Sequence, residues 1–170
     1  MIVLPIYQHS SNTKNKNKNL ANHLLKKISE LERKSKTKLN INQKILLIEI
    51  GTVEQMLAIL VGCSVKVKVI DQKESKDVIV RESLIINKNS NHVFIRAISH
   101  IFIPNLPISA LRAIRRKQLG IGTVIHKLCL ETFRKILEIG YDKESGLVFR
   151  RYLIIYKKKV AFDIREEFII

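Results

Sequence analysis

The sequence predicts an α+β fold: a six-stranded antiparallel sheet with two or three helices packed on one face. Two periodicities indicate this class, because apolar residues recur at helical spacing in some segments and alternate with polar residues in others. A third indication is that short polar turns separate successive alternating segments, as in an antiparallel meander. A chain of 170 residues is the length of one domain with a single core.

The N-terminal quarter is predicted to be a polar segment followed by a covering helix. Residues 10–19 read SSNTKNKNKN, and this low-complexity polar composition is typical of a loop or linker. Leucines and isoleucines return at helical spacing between residues 20 and 31, which predicts a helix over the sheet. We therefore expect one globular domain, in which residues 1–44 form this segment and helix and residues 45–170 form the main body.

A second helix is predicted to begin at Thr52, after the apolar run of residues 45–50. Thr52 and Gln55 have the spacing of a capping box, in which two side chains bond free N–H groups of the first helical turn. Apolar residues at helical spacing follow, and Gly62 is placed to end the helix.

Three strands in a meander are predicted next. Residues 65–69 alternate valine with lysine, and the segments 78–86 and 93–103 follow with polar turns between them. Residues 108–117 then combine an apolar face with arginines, which predicts a short helix with a basic outer side.

Gly120 and Gly122 follow that helix. Glycine there either permits a positive φ or lets another group approach the backbone closely, and a helix C-cap followed by a turn explains the pair as well. A lone GxG is a weak indication of a phosphate-binding loop, because no dinucleotide or Walker pattern completes it.

The C-terminal third predicts three more strands. Residues 130–140 fit either the helix or the strand period, and we predict a strand because its apolar residues share one parity. Residues 149–156 and 160–168 complete a hairpin around a turn at Lys157–Lys159. This hairpin ends in two adjacent carboxylates, Glu166 and Glu167, which is unusual in so basic a chain.

The charge of the chain favours an anionic partner. Lysine and arginine number 31 against 15 acidic residues, a formal net charge of +16. Nucleic acid, membrane headgroups and a small acid all fit, but no recognition helix, aromatic RNA-binding strand or zinc finger is present in the sequence. Two isolated cysteines predict neither a disulfide framework nor a zinc site. No apolar run reaches a membrane span, and we expect no cleavable export signal.

Arg96 is a candidate functional residue in the predicted sheet. It lies between Ile95 and Ala97 in an apolar strand, and a buried guanidinium needs an anion to meet it. The alternative is that Arg96 faces solvent or pairs with a structural carboxylate. The five histidines show no metal-ligand spacing, and no serine or cysteine nucleophile can be paired with a base.

The order of five motifs resembles that of the chorismate lyase family, particularly its plastid and cyanobacterial branch. The motifs, which extend from about residue 45 to the C-terminus, are GTVEQML, VFIRAISHIFIP, LGIG, ILEIG with SGLVFRRYLIIYKKK, and FDIREEF. The resemblance implies an antiparallel sheet with helices around an enclosed pocket for an aromatic acid.

The resemblance also implies roles for individual residues. Arg96 corresponds to the arginine that holds the ring carboxylate, and Gly122 to the backbone that closes on the ligand. Val53 lines the pocket, and Glu166 is the catalytic carboxylate near the ring hydroxyl. Because side chains alternate along a strand, only one of Glu166 and Glu167 can face the pocket. Glu166 fits the family position better, and Glu167 is the alternative.

The implied activity is the elimination of pyruvate from chorismate to give 4-hydroxybenzoate, a quinone precursor, with Arg96 and Glu166 as catalytic residues. We expect no metal or other cofactor, chorismate as the partner, no nucleic acid or membrane partner, and a monomer. The Lys, Asn and Ile bias, together with the resemblance, favours a plastid location, otherwise the cytoplasm. The alternatives are a non-catalytic domain of the same fold that binds small aromatic acids, and a basic protein that binds nucleic acid or membrane.

Overall fold

A computed structural model describes residues 1–6 and 20–170, and within these ranges it contains seven strands and five α-helices. The helices are Leu20–Ser35 (α1), Ile41–Ile48 (α2), Val53–Val61 (α3), Ile108–Arg115 (α4) and Ile121–Lys127 (α5), with a 3-10 turn at Ile103–Asn105. The strands are Ile2–Pro5 (β1), Val65–Glu74 (β2), Val78–Asn87 (β3), Val93–Phe102 (β4), Thr132–Tyr141 (β5), Val148–Tyr156 (β6) and Lys159–Phe168 (β7). The predicted linker at residues 10–19 lies outside the described residues, and the division of the chain at residue 44 stays a prediction.

The strands form one antiparallel sheet in the order β1-β5-β6-β7-β4-β3-β2. The predicted α+β class is confirmed, and so is strand β5, for which the sequence fitted both periods. The predicted number of six strands is wrong, because β1 pairs with β5 and adds a seventh at the sheet edge. Four residues are too few for a period of two to be recognised in sequence.

The number of helices also differs from the prediction of two or three. The sequence predicts neither α2 nor α5. The capping box of this region is formed by Asn40 and Gln43 at the start of α2, not by Thr52 and Gln55. Helix α3 begins after Thr52 as predicted, but the Thr52 side chain makes no cap hydrogen bond. Gly62 has a φ of 66° and ends α3 in the left-handed conformation, as predicted.

The two faces of the sheet are distinguished by the alternation of side chains along its central strands. In β4, Ala97 and Ser99 are buried on the inner face, whereas Arg96, Ile98 and His100 are exposed on the outer face. The inner face packs on a core to which all five helices contribute buried residues. The layered arrangement therefore leaves the outer face of the central strands in contact with solvent. Separately, no helix in the described part of the chain is long and apolar enough to cross a membrane.

Candidate functional site

A small cavity lies between the inner face of the sheet and two connections, α2–α3 and α4–α5. Its volume, measured as space open to the centre of a water molecule, is about 50 Å³. The strands contribute alternate side chains because every second residue points inward. The polar and glycine residues that line it are Gly51, Thr52, Glu54, Arg81, Ser83, Ser99, Gly120, Gly122, Arg134, Tyr152 and Glu166, and the apolar ones include Val53, Val67, Ile85, Ala97, Ile121 and Ile154.

Glu166 is a buried carboxylate, with 3% of its surface exposed. Arg150 lies opposite it across the β6–β7 pair and donates from Nε to Glu166 Oε2 at 2.8 Å. Tyr152 donates from its hydroxyl to Glu166 Oε1 at 3.0 Å. Both oxygens are thus hydrogen-bonded, which is what a buried charge requires, while each keeps a further lone pair for a ligand.

Arg150 and Tyr152 are held by more than Glu166. Arg150 also donates from Nη1 to the carbonyl of Glu49, just after α2, and its guanidinium lies 4.8 Å from the centre of the Tyr152 ring. Burial raises the pKa of Tyr152, and the Glu166 charge raises it further, so the phenol stays neutral and can donate. The strands and α2 therefore fix the position of the carboxylate.

Arg81 is the second buried charge of the cavity, with 1% of its surface exposed. Nε donates to Gln72 Oε1 at 2.8 Å, and Nη1 donates to the Leu119 carbonyl at 3.1 Å. Nη2 donates to the Ile114 carbonyl, near the C-terminus of α4. Burial lowers the pKa of Arg81 to about 10, which leaves it charged at neutral pH. No carboxylate of the described residues forms an ion pair with Arg81.

Two groups complete the polar lining, Arg134 and Glu54. Arg134 donates from Nη1 to the Ile50 carbonyl at 2.8 Å, and its buried Nε has no hydrogen-bond partner among the described residues. Glu54 accepts a hydrogen bond from Thr123 Oγ1 at 3.1 Å. Burial raises the pKa of Glu54, the Thr123 hydrogen bond lowers it, and the nearby charge of Glu166 raises it.

Three of the four predicted site residues lie in this cavity. Val53, Gly122 and Glu166 line it, and Glu167 points to the opposite face, where it pairs with Arg165. Gly122 lies inside α5, where an added Cβ would come 3.2 Å from Thr52 Cγ2. α5 and the α2–α3 connection are thus in close contact at the edge of the cavity.

Arg96 is the predicted residue that the structure does not bring to the cavity. It is exposed, because its neighbours Ile95 and Ala97 occupy the buried parity of β4. The alternative of a solvent-facing Arg96 is the one that the structure supports.

Sequence reasoning missed the arginine that does line the cavity, Arg81. Parity gave no signal for it in the sequence, because the even positions of β3 carry Val78, Val80, Leu84 and Ile86 and are at least as apolar as the odd positions that carry Arg81. Arg150 and Tyr152 also lacked a clear signal, because Phe149, Leu153 and Ile155 make the opposite parity of β6 equally apolar. Glu54 carries no such signal, because the first turn of a helix commonly bears an acidic residue.

No cluster of three or more histidine, cysteine or acidic side chains in the described ranges could hold a metal ion. The donors that line the cavity are guanidinium, carboxyl, hydroxyl and backbone groups. Such a set suits an organic acid whose carboxylate is met by arginine.

The sequence is similar to that of a protein from Methanocaldococcus jannaschii described as "Putative lyase MJ0807". The two are 36% identical over 143 residues, which is 74% of this chain and 77% of that protein. The chain belongs to the same family as MJ0807. The predicted lyase-type family is supported at this level, whereas the plastid and cyanobacterial branch stays a prediction. No model of a known protein family matches the chain.

One solved structure has a fold similar to that of this chain. The crystal structure of PhnF from Mycobacterium smegmatis superposes with a TM-score of 0.51 at 10% sequence identity, over 71% of this chain. The chain spans 64% of the length of that PhnF chain. At this identity the likeness shows the fold alone.

Proposed function

We propose that the protein is a chorismate lyase, which eliminates pyruvate from chorismate and releases 4-hydroxybenzoate. One observation carries the proposal: the cavity contains a buried guanidinium, Arg81, that is not neutralised by a carboxylate of the described chain, together with the buried carboxylate of Glu166. An unpaired buried charge is destabilising in the empty protein, so its retention is best explained by an anionic ligand. Membership in the family of MJ0807 supports a lyase.

Arg81 is the proposed site for the ring carboxylate. A guanidinium has five N–H donors, and the contacts with Gln72, Ile114 and Leu119 use three of them. One N–H on each terminal nitrogen is left, which is the pair that binds a carboxylate in a bidentate manner. The three fixed contacts orient this pair before the ligand arrives.

Arg134 is the proposed site for the second carboxylate of chorismate, which is on the enolpyruvyl group. It lines the same cavity and forms no ion pair within the described residues. A dianion between Arg81 and Arg134 would compensate two charges that the protein leaves uncompensated.

Glu166 is the proposed general base. It would take the proton from the ring carbon that bears the hydroxyl, while the bond from the neighbouring carbon to the enolpyruvyl oxygen breaks and the ring becomes aromatic. Positioned proton transfer contributes about 10²–10⁴-fold in rate. Arg150 and Tyr152 keep Glu166 in place through this step, since they bind its two oxygens from one side.

A second function, aromatic-acid binding without turnover, is favoured by one specific observation. Both oxygens of Glu166 already accept hydrogen bonds from Arg150 and Tyr152. Each bond occupies an acceptor site on an oxygen that a base would use to take a proton. A protein that only binds 4-hydroxybenzoate would have the same arrangement. The plastid location stays a prediction.

The deciding experiment is incubation of the purified protein with chorismate. Pyruvate is followed with lactate dehydrogenase and NADH, and 4-hydroxybenzoate is followed by chromatography, against a no-protein control for spontaneous decay. Equal amounts of the two products above that control, lost in Glu166→Gln and kept in Glu167→Gln, are expected. Binding of 4-hydroxybenzoate without turnover of chorismate would establish the second function instead.

A further inference from the structure

The cavity holds a second carboxyl group, Glu54, that binding of the substrate and removal of its ring proton do not use. Glu54 lies in the first turn of α3 and lines both this cavity and a neighbouring outer one, so it stands at the boundary between them. Its Oε2 is bonded by Thr123 of α5. Its Oε1 lies against Gly120, where an added Cβ would collide with it.

Glu54 and Glu166 have opposite electrostatic surroundings. Glu166 forms an ion pair with Arg150, whereas Glu54 has no cationic partner among the residues that the structure describes. Burial and the charge of Glu166 both favour a proton on Glu54. A carboxylate paired with a cation beside a carboxyl group that has none is a common arrangement of a base and an acid.

We propose that Glu54 is the general acid of the reaction, donating a proton to the ether oxygen of the departing enolpyruvyl group while Glu166 takes the ring proton. The inference rests on the proposed lyase function and adds a residue to it. Because Gly120 has no side chain, Oε1 of Glu54 can lie against its backbone, and Thr123 donates a hydrogen bond to Oε2. These two contacts fix the orientation of the carboxyl group of Glu54.

The atoms and electrons of the step balance without a further reactant. The ring C–H bond breaks and its electron pair enters the aromatic ring, and the carbon–oxygen bond to the enolpyruvyl group breaks as the Glu54 proton bonds to that oxygen. Free enolpyruvate becomes its keto form, pyruvate, in water. Glu166 ends protonated and Glu54 ionised, and exchange with solvent after product release restores both.

The charged and titratable groups around Glu54 set the expected pH dependence. Those that line the same two cavities are Arg81 on β3, Arg134 on β5, Tyr152 on β6, Glu166 on β7, and His126 and Lys127 on α5. A dianionic ligand held by the arginines favours the protonated form of Glu54 further. Activity should fall at high pH as Glu54 loses its proton.

The test is the pH profile of kcat for Glu54→Gln with the wild-type protein and Glu167→Gln as references. Glutamine keeps the shape and a hydrogen-bond donor but cannot release a proton, so kcat should fall about 10²-fold or more and the high-pH limb should disappear. Affinity for 4-hydroxybenzoate should stay within a few-fold of wild type, which also shows that the variant is folded. Glu167→Gln should leave kcat and the profile unchanged.

A second variant, Thr123→Val, removes a hydrogen bond that lowers the pKa of Glu54. Its high-pH limb should move to higher pH while turnover persists, a change that a purely structural role of Glu54 does not produce. A Glu54→Gln protein with the wild-type kcat and an unchanged high-pH limb would overturn the acid role and leave the lyase function standing. Failure of the wild-type protein to convert chorismate would overturn both.

Discussion

Replacement of Arg81 by methionine tests the proposed carboxylate site most directly. Methionine is unbranched, uncharged and about two atoms shorter than arginine, so the variant loses the charge and every N–H donor of Arg81, including the two left for a ligand. We expect a large loss of affinity for 4-hydroxybenzoate, because the carboxylate of the ligand would be buried without a partner.

The magnitude follows from the number of free donors. A hydrogen bond to a charged group contributes about 1.5–3 kcal/mol, and each 1.4 kcal/mol is tenfold in the dissociation constant. The loss of one such bond corresponds to roughly 10- to 150-fold, and the two bonds together should exceed about 10²-fold. Arg81→Lys should fall between, because lysine keeps the charge without the planar fork.

Isothermal titration calorimetry with 4-hydroxybenzoate measures this loss without depending on turnover. Arg81 also bonds Gln72 and two carbonyls, so thermal unfolding must be recorded for each variant. Benzoate and phenol serve as ligand controls, since only the ligands with a carboxylate should lose affinity in Arg81→Met.

Arg96→Ala is the matched control, because Arg96 lies on the other face of the sheet. It should bind 4-hydroxybenzoate like the wild type. Near-wild-type affinity in a folded Arg81→Met together with lost affinity in Arg96→Ala would refute the reasoning and restore the role that the sequence resemblance implies for Arg96.

Three further changes test the catalytic carboxylate, its partner and the last hairpin. Glu166→Gln should lower kcat about 10²-fold or more while Glu167→Gln does not, as measured by pyruvate release, and equal rates in both would contradict the assignment of the base. Arg150→Met leaves the buried carboxylate of Glu166 without its cation and should lower the free energy of unfolding by about 3–5 kcal/mol, as measured by urea titration. The same substitution in a Glu166→Gln background should cost much less, and equal losses in both backgrounds would argue against the pair. Lys158 has a φ of 64°, a left-handed conformation that costs energy for lysine but not for glycine, so Lys158→Gly should stabilise the protein by about 1 kcal/mol. Lys159→Gly in β7 should instead destabilise it, and a lower melting temperature for Lys158→Gly than for Lys159→Gly would contradict this reasoning.

The sheet could be predicted from the sequence because the alternation of side chains is a local property. Residues 65–69 show it directly. The turn predicted at Lys157–Lys159 is confirmed between β6 and β7, although Lys159 is already the first residue of β7. Helix α2 could not be found in the same way, since a continuous apolar run has no visible period and its true cap is the less conspicuous pair of Asn40 and Gln43.

The site was predicted less completely than the sheet, because a motif gives the order of residues but not the face of the sheet on which each side chain lies. Arg96 stands in the motif where a functional arginine is expected, yet one position decides which face of β4 it occupies. In β3 both parities carry apolar residues, so alternation alone does not tell that Arg81, with Ile79 and Ser83, lies on the inner face. The arginine of the site is therefore found from the folded sheet and not from the sequence pattern.

What leaves Arg81 available to a ligand is the pairing of the other charges. Strand register sets Arg150 directly opposite Glu166, so the carboxylate is neutralised within the β6–β7 hairpin. A shift of one residue in that hairpin would turn Arg150 to the outer face and leave Glu166 without its cation. The register of β6 and β7 thus neutralises Glu166 inside the hairpin, and Arg81 keeps a buried positive charge for an anion that the described chain does not supply.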